Sequence, residues 1–255
     1  GVQQGIAAIQ GERRDRRLLP ALFFVILISI FLSFILMPSF SYQNFSKSII
    51  SVVFFVSNIF FYNNSGYFSE DSNETPLLHT WSLAVEEQFY IFFPLLLLAL
   101  QFGKQKIVIT VIILILILSF SLAQFGGNLN STYPFFENEF YLTYVPAWAF
   151  YNTTTRVWEL LIGSLIAFYF LKVNSHNGFR FFSTIGLSLI TYSIIFYDDT
   201  IPYPSIYTLI PVFGTGLFII GVRENDLSYK IFASRYLSGV GLISYSAYLW
   251  HQPLF

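Results

Sequence analysis

Apolar runs long enough to cross a bilayer recur along this chain, and they constrain its fold more than any other feature. Segments at roughly 18–37, 47–62, 82–101, 106–123, 156–171, 180–197, 205–222 and 237–255 are rich in Leu, Ile, Val and Phe and bounded by polar, Gly or Pro residues. A spanning helix needs about 20 predominantly apolar residues. In lipid every backbone N–H and C=O must find a partner inside the protein, which leaves helices or closed barrels. No period-two alternation repeats over ten-residue blocks, so barrel strands are not expected. The reading is an all-α, polytopic transmembrane helix bundle of about eight hydrophobic segments.

Composition closes off the other classes. Hydrophobic residues make up 55% of the chain and charged residues only 11%, whereas a soluble domain carries about 25% charged residues. The 31 Phe and 17 Tyr suit lipid-facing surfaces and interfacial belts. A net charge of −1 offers nothing for the phosphates of a nucleic acid, and no such partner is expected. With no cysteine, thiolate chemistry and disulfides are excluded, and no metal-ligand spacing such as H-E-x-x-H is present. The lipid bilayer is the one partner composition demands. The absence of an initial Met and the apolar end at Phe255 lead us to expect an excerpt of a longer protein.

Basic residues cluster at Arg13–Arg17, Lys104/Lys106, Lys172/Arg180 and Arg223/Lys230/Arg235, and the positive-inside rule assigns these to the cytoplasmic side. Three apolar segments separate the first two clusters, and an odd number of crossings cannot return to the same side. Segment 47–62, short and interrupted by Ser48, Ser51, Ser57 and Asn58, is therefore a candidate re-entrant element; a dip within 63–90, or arginines that belong to a site and not to a loop, are the other solutions.

Ionisable residues inside such segments are costly, by roughly 2.5–3.5 kcal/mol each on insertion scales, unless they meet a partner or a polar cavity. The block Pro76-Leu-Leu-His-Thr-Trp-Ser-Leu-Ala-Val-Glu-Glu-Gln-Phe-Tyr90 brings His79, Trp81, Glu86 and Glu87 into or next to a span. Glu86 and Tyr90 share a helical face, and a histidine with a nearby carboxylate is the usual construction of a general base. The plainer reading is an interfacial His79 with both carboxylates in the first turns of a helix. In Arg13-Arg14-Asp15-Arg16-Arg17, Arg14 and Arg17 lie three apart on one face. They either anchor the span at the interface or clamp an anion with their planar forks. Arg156 and Glu159, also three apart, fit a structural ion pair. Ser244, Tyr248 and His251 follow at i, i+4 and i+7, forming either a polar stripe facing the bundle or an interfacial belt.

These blocks, in this order, resemble the integral-membrane acyltransferase-3 family, whose best-known members are bacterial O-acetylases of O-antigen and other cell-surface polysaccharides. The matching stretches are RRDRRLLPAL at 13–22, PLLHTWSLAVEEQFYIFFPLL at 76–96, TRVWELLIGSLIAF at 155–168, YPSIYTLIPVFGTGLFI at 203–219 and LISYSAYLWHQPLF at 242–255. The resemblance divides the chain into an unmatched stretch, 1–12, and an incomplete membrane domain, 13–255. It implies an enzyme of the bacterial cytoplasmic (inner) membrane that moves an acyl group, commonly acetyl, from an acyl-coenzyme A such as acetyl-CoA to a hydroxyl of a cell-surface or lipid-linked saccharide, lipopolysaccharide among them. No bound cofactor is implied; acyl-CoA is a co-substrate.

The family's Arg-x-x-Arg maps onto Arg14 and Arg17 as the acyl-donor site. The family also carries a histidine in an upstream span, so the fragment alone is expected to be inactive, and many relatives carry an esterase-like domain after the last span. The expected catalytic set is Glu86, His79 and His251, with Trp81, Glu87, Tyr90, Arg156, Glu159, Ser244 and Tyr248 as cavity or structural residues. A transporter or flippase of lipid-linked sugars is the main alternative, although the inverted repeats frequent in transporters are not visible. A purely structural subunit of a polysaccharide machine is the other.

Overall fold

The computed structural model describes residues 2–64, 75–126, 147–172, 180–198, 201–223 and 226–254. The side chains of residues 2–17, 40, 172, 180 and 227 stand outside that description. Regular secondary structure among the described residues is helical throughout, as the apolar patterning requires. Among the described residues four helical stretches, Leu18–Leu36, Thr80–Ala99, Gln105–Gly126 and Thr153–Leu171, are long and apolar enough to cross a membrane, and Phe181–Phe196 and Ile206–Gly221 are shorter apolar helices. The chain divides into two compact units, Gly1–Ala84 with Arg235–Phe255, and Val85–Ser234.

In the first unit, α1 runs from Val2 to Leu36. Its buried residues Leu22, Val25, Ile26, Ser29 and Ser33 recur at helical spacing and form one stripe, while Phe23, Leu27, Phe31 and Phe34 on the remaining surface are exposed. Such a division suits a helix with one face on protein and the rest on lipid. The helix α10, Arg235–His251, packs on α1 in the same direction. The Tyr245 hydroxyl donates to the Leu18 carbonyl at 3.3 Å, and Trp250 meets Phe24 edge-on with centroids 6.1 Å apart.

The apolar segment expected at 47–62 is broken. Helix α2, Ser39–Val53, stops at Phe54, and α3, Ser57–Asn64, begins three residues later. Phe55 adopts φ 54°. The Phe55 N–H donates to the Val52 carbonyl at 3.0 Å and the Val56 N–H to the Ser51 carbonyl at 2.8 Å. This is the double hydrogen bond of a Schellman stop, with Phe in the left-handed position that Gly usually fills. The helices are about 22 and 12 Å long, so neither crosses a hydrocarbon core of about 30 Å.

In the second unit, the 85–99 portion of α4 (Thr80–Ala99) packs with α5, Gln105–Gly126, and α6, Thr153–Lys172. Their shared core is Phe89, Ile112 and Leu161, flanked by Phe93 and Leu165. Ser119 of α5 inserts into the first turn of α6. Its hydroxyl donates to the Thr154 carbonyl at 2.6 Å and accepts the Trp158 N–H at 3.1 Å. The hydroxyl thus relays the helical bond that would join Trp158 directly to Thr154.

The helices α7, Arg180–Phe196, and α8, Leu209–Gly221, come into backbone contact. A Cβ placed on Gly186 would lie 2.4 Å from the Gly214 carbonyl oxygen, and one on Gly221 would lie 2.3 Å from the Ser183 nitrogen. Lipid supplies no hydrophobic force between helices, so close approach through small residues carries the packing. A 3-10 turn at Ile206–Thr208, held by a Ser205/Thr208 capping box, leads into α8. The short helix α9, Leu227–Phe232, closes this unit.

Candidate active site

His79 stands on the turn that starts α4. The Leu78 N–H donates to Thr75, the Thr80 N–H to Leu77 and the Ser82 N–H to His79, at 3.0–3.3 Å. The Thr80 hydroxyl bonds the Leu77 carbonyl at 2.7 Å, and the Ser57 hydroxyl of α3 reaches the Thr80 carbonyl at 3.0 Å. Leu77, Leu78 and Thr80 are all buried. The backbone that carries the imidazole is therefore fixed from both sides.

Against that imidazole stands the end of α10. The His79 ring lies 4.9 Å from the His251 ring and 5.0 Å from the Tyr248 ring, centroid to centroid. The Tyr248 hydroxyl donates to the His79 carbonyl and lies 2.7 Å from the Ser82 hydroxyl. Tyrosine has one hydroxyl proton, so Ser82 is the donor in that second bond. His251 Nδ1 meets the Tyr248 carbonyl at 2.5 Å. A carbonyl can only accept, so Nδ1 carries the proton, and in the neutral ring Nε2 keeps its lone pair. His251 itself is exposed.

His79 has no such partner. The residue is 7% exposed, and among the described residues neither ring nitrogen has a hydrogen-bond partner. A buried polar group left in that state costs about 1–3 kcal/mol. Burial, aided by the neighbouring His251, lowers its pKa to about 3, so the ring is neutral near pH 7. A neutral imidazole offers one N–H donor and one lone pair, and here both are held ready and unused.

The second unit holds a different cluster. Arg156, 4% exposed, places Nη1 at 3.0 Å from Glu159 Oε1, and its Nε donates to the Phe150 carbonyl at 3.0 Å. Its guanidinium lies 5.0 Å from the Phe150 centroid and 4.1 Å from that of Tyr203. The Tyr203 hydroxyl bonds the Glu159 carboxylate as well. Glu159 and Tyr203 border a cavity of about 300 Å³ that Gly163 and Thr215 also line. The guanidinium is thus held by a carboxylate, a backbone carbonyl and two aromatic rings at once.

The remaining expected residues divide among these surroundings. Trp81 is half-buried beside His79 in sequence. Glu86 and Glu87, half-buried, and Tyr90, exposed, lie on the part of α4 that belongs to the second unit, so their grouping with the imidazoles rests on sequence alone. Ser244 is exposed and spends its hydroxyl on the Gly241 carbonyl at 2.8 Å, leaving Tyr248 and His251 as the part of the stripe that meets His79. Arg14 and Arg17 lie on the continuous α1, with side chains outside the described ones. Among the described residues no cluster of three or more His, Cys, Asp or Glu could hold a metal.

Sequence reasoning missed Ser82 and Tyr203. Ser82 lay within the conspicuous His-Thr-Trp-Ser stretch, so its place was visible although its partner was not. Tyr203 opens the matching stretch 203–219, but its partners lie more than forty positions away.

Comparison with known proteins gives this geometry a family. The chain is 31% identical over 256 residues to the O-acetyltransferase OatA of Staphylococcus aureus strain NCTC 8325 / PS 47, covering 95% of this chain and 40% of that protein. The same values hold for O-acetyltransferase OatA of strain COL. The chain thus spans about 40% of the length of these curated relatives. No solved structure matches it. Residues 12–255 match the acyltransferase domain family, Acyl_transf_3, and the chain is a multi-pass membrane member of that family.

Proposed function

We propose that this domain, within its intact protein, is an O-acetyltransferase of the bacterial inner membrane. It takes the acetyl group from an acyl-coenzyme A and delivers it to a hydroxyl of a cell-surface or lipid-linked saccharide. The observation that carries the reading is the unpartnered, buried His79 imidazole facing His251, whose Nε2 lone pair is set by its bond to the Tyr248 carbonyl.

The chemistry assigns each ring a task. His251 Nε2 accepts the proton of the saccharide hydroxyl as its oxygen bonds to the thioester carbonyl carbon. The neutral His79 ring donates its N–H to the carbonyl oxygen as negative charge gathers there. When the intermediate collapses the carbon–sulfur bond breaks, and the departing thiolate takes the proton back from His251. A positioned base is worth about 10²–10⁴-fold in rate and an oxyanion donor about 10²–10³-fold. Tyr248 and Ser82 hold the rings in register.

The donor's phosphates are assigned to Arg14 and Arg17. Helix α1 continues unbroken from Arg14 to Phe24, a rise of about 15 Å. Phe24 packs on Trp250, the neighbour of His251. An extended thiol arm suits that rise. Glu86 is assigned a supporting role, orienting the base or the acceptor.

Membranes holding the intact protein, incubated with acetyl-labelled coenzyme A, test the reading. Label should appear covalently on glycan. A glycan that crosses the membrane without gaining label would replace transfer by transport.

A further inference from the structure

We propose that the α2–α3 hairpin is a half-depth membrane wedge whose cleft seats an anionic phospholipid, with the lipid phosphate at Lys47. The cleft has a volume of about 500 Å³ and is lined by Lys47, Ile50, Phe54, Val56, Ile59 and Asn63, among others.

The exposed residues of the two helices change character in step. Along α2, Gln43, Asn44 and Lys47 are exposed and polar, and they give way to Ile50, Val53 and Phe54, which are exposed and apolar. Along α3 the order reverses, from exposed Val56 and Ile59 to exposed Asn63 and Asn64. Lys47 precedes Phe54 by seven positions and Asn63 follows Val56 by seven, about 10 Å of helix in each case. The polar groups therefore stand at one depth and the apolar groups at another. The bend between them is fixed by the left-handed Phe55 and its flanking hydrogen bonds.

Water would not favour that tip, where Phe54 is 71% and Ile50 62% exposed. An element buried about 5–10 Å into the headgroup and acyl boundary would satisfy it. Among the described residues Lys47 is the one charged residue lining the cleft. No acidic side chain among the described residues lines the cleft to compete, and a compact ammonium above an apolar floor complements a phosphate joined to a hydrocarbon chain.

Native mass spectrometry of the intact protein, equilibrated with phosphatidylglycerol and phosphatidylcholine, tests this without reference to acetyl transfer. Phosphatidylglycerol should be retained with roughly fivefold preference. Lys47→Gln should abolish the preference and Lys47→Arg should keep it. Ile59→Trp, which fills the cleft and leaves the charge, should reduce retention of both lipids at unchanged thermal stability. Equal retention of the two lipids, a Lys47→Gln variant with unchanged preference, displacement by soluble glycerol phosphate, or occupation by a second copy of the chain would each overturn the proposal.

Discussion

The imidazole pair of the first unit and the ion pair of the second are both polar clusters in an apolar chain, yet they treat their hydrogen-bonding capacity differently. Arg156 and Glu159 bond each other and are held further by the Phe150 carbonyl and by Tyr203. His79 is also buried, and among the described residues neither of its ring nitrogens has a partner. Burial alone does not mark a reactive site, since both clusters have it. A saturated cluster is at its best without a ligand. An unsaturated one improves when a ligand arrives, and binding that strengthens toward the transition state is what accelerates a reaction.

Three perturbations sharpen that contrast. Arg156→Leu leaves the half-buried Glu159 carboxylate without its cation and should lower stability by about 3 kcal/mol, read from denaturant unfolding. Arg156→Leu combined with Glu159→Leu should recover most of the loss. Equal destabilisation by the single and double variants would mean that packing, and not charge pairing, holds the cluster. The opposite sign is expected in the first unit. His79→Phe replaces unsatisfied nitrogens with carbon and should raise stability by about 1–3 kcal/mol, while acetyl transfer falls by 10²-fold or more.

A more gradual effect follows from pH. His79, one residue before the apolar run Thr80–Ala99, has a folded pKa of about 3 against an ordinary 6.5. Below pH 6.5 the unfolded chain binds a proton that the folded chain refuses. Stability should therefore fall as pH drops from 6.5 toward 3, by at most about 1.4 kcal/mol per pH unit from this group, with no contribution above 6.5. The His79→Phe variant should lack that component, and an identical pH slope in both proteins would remove His79 as its source.

Much of the fold was legible because apolar length and helical period are local properties. The segments expected at 18–37, 82–101, 106–123, 156–171 and 180–197 are found as the α1 apolar run, α4, α5, α6 and α7. The break at Phe54–Val56 was not legible, because neither Gly nor Pro announces it and Phe55 takes a conformation its side chain disfavours. The Arg156–Glu159 pair follows from i, i+3 spacing. The meeting of His79 with Tyr248 and His251 joins residues about 170 positions apart, and periodicity says nothing about contacts of that kind. The polar stripe on α10 suggested that its residues acted together, but packing separates exposed Ser244 from the other two.

The most direct measurement is the acetyl-transfer rate of His251→Ala in the intact protein, at matched folded amounts. This residue is exposed, so its loss should leave the fold in place. Our account predicts a fall of at least about 100-fold at unchanged thermal stability. A rate within about twofold of the parent would contradict it, since a base worth about 10² or more cannot be removed at so little cost.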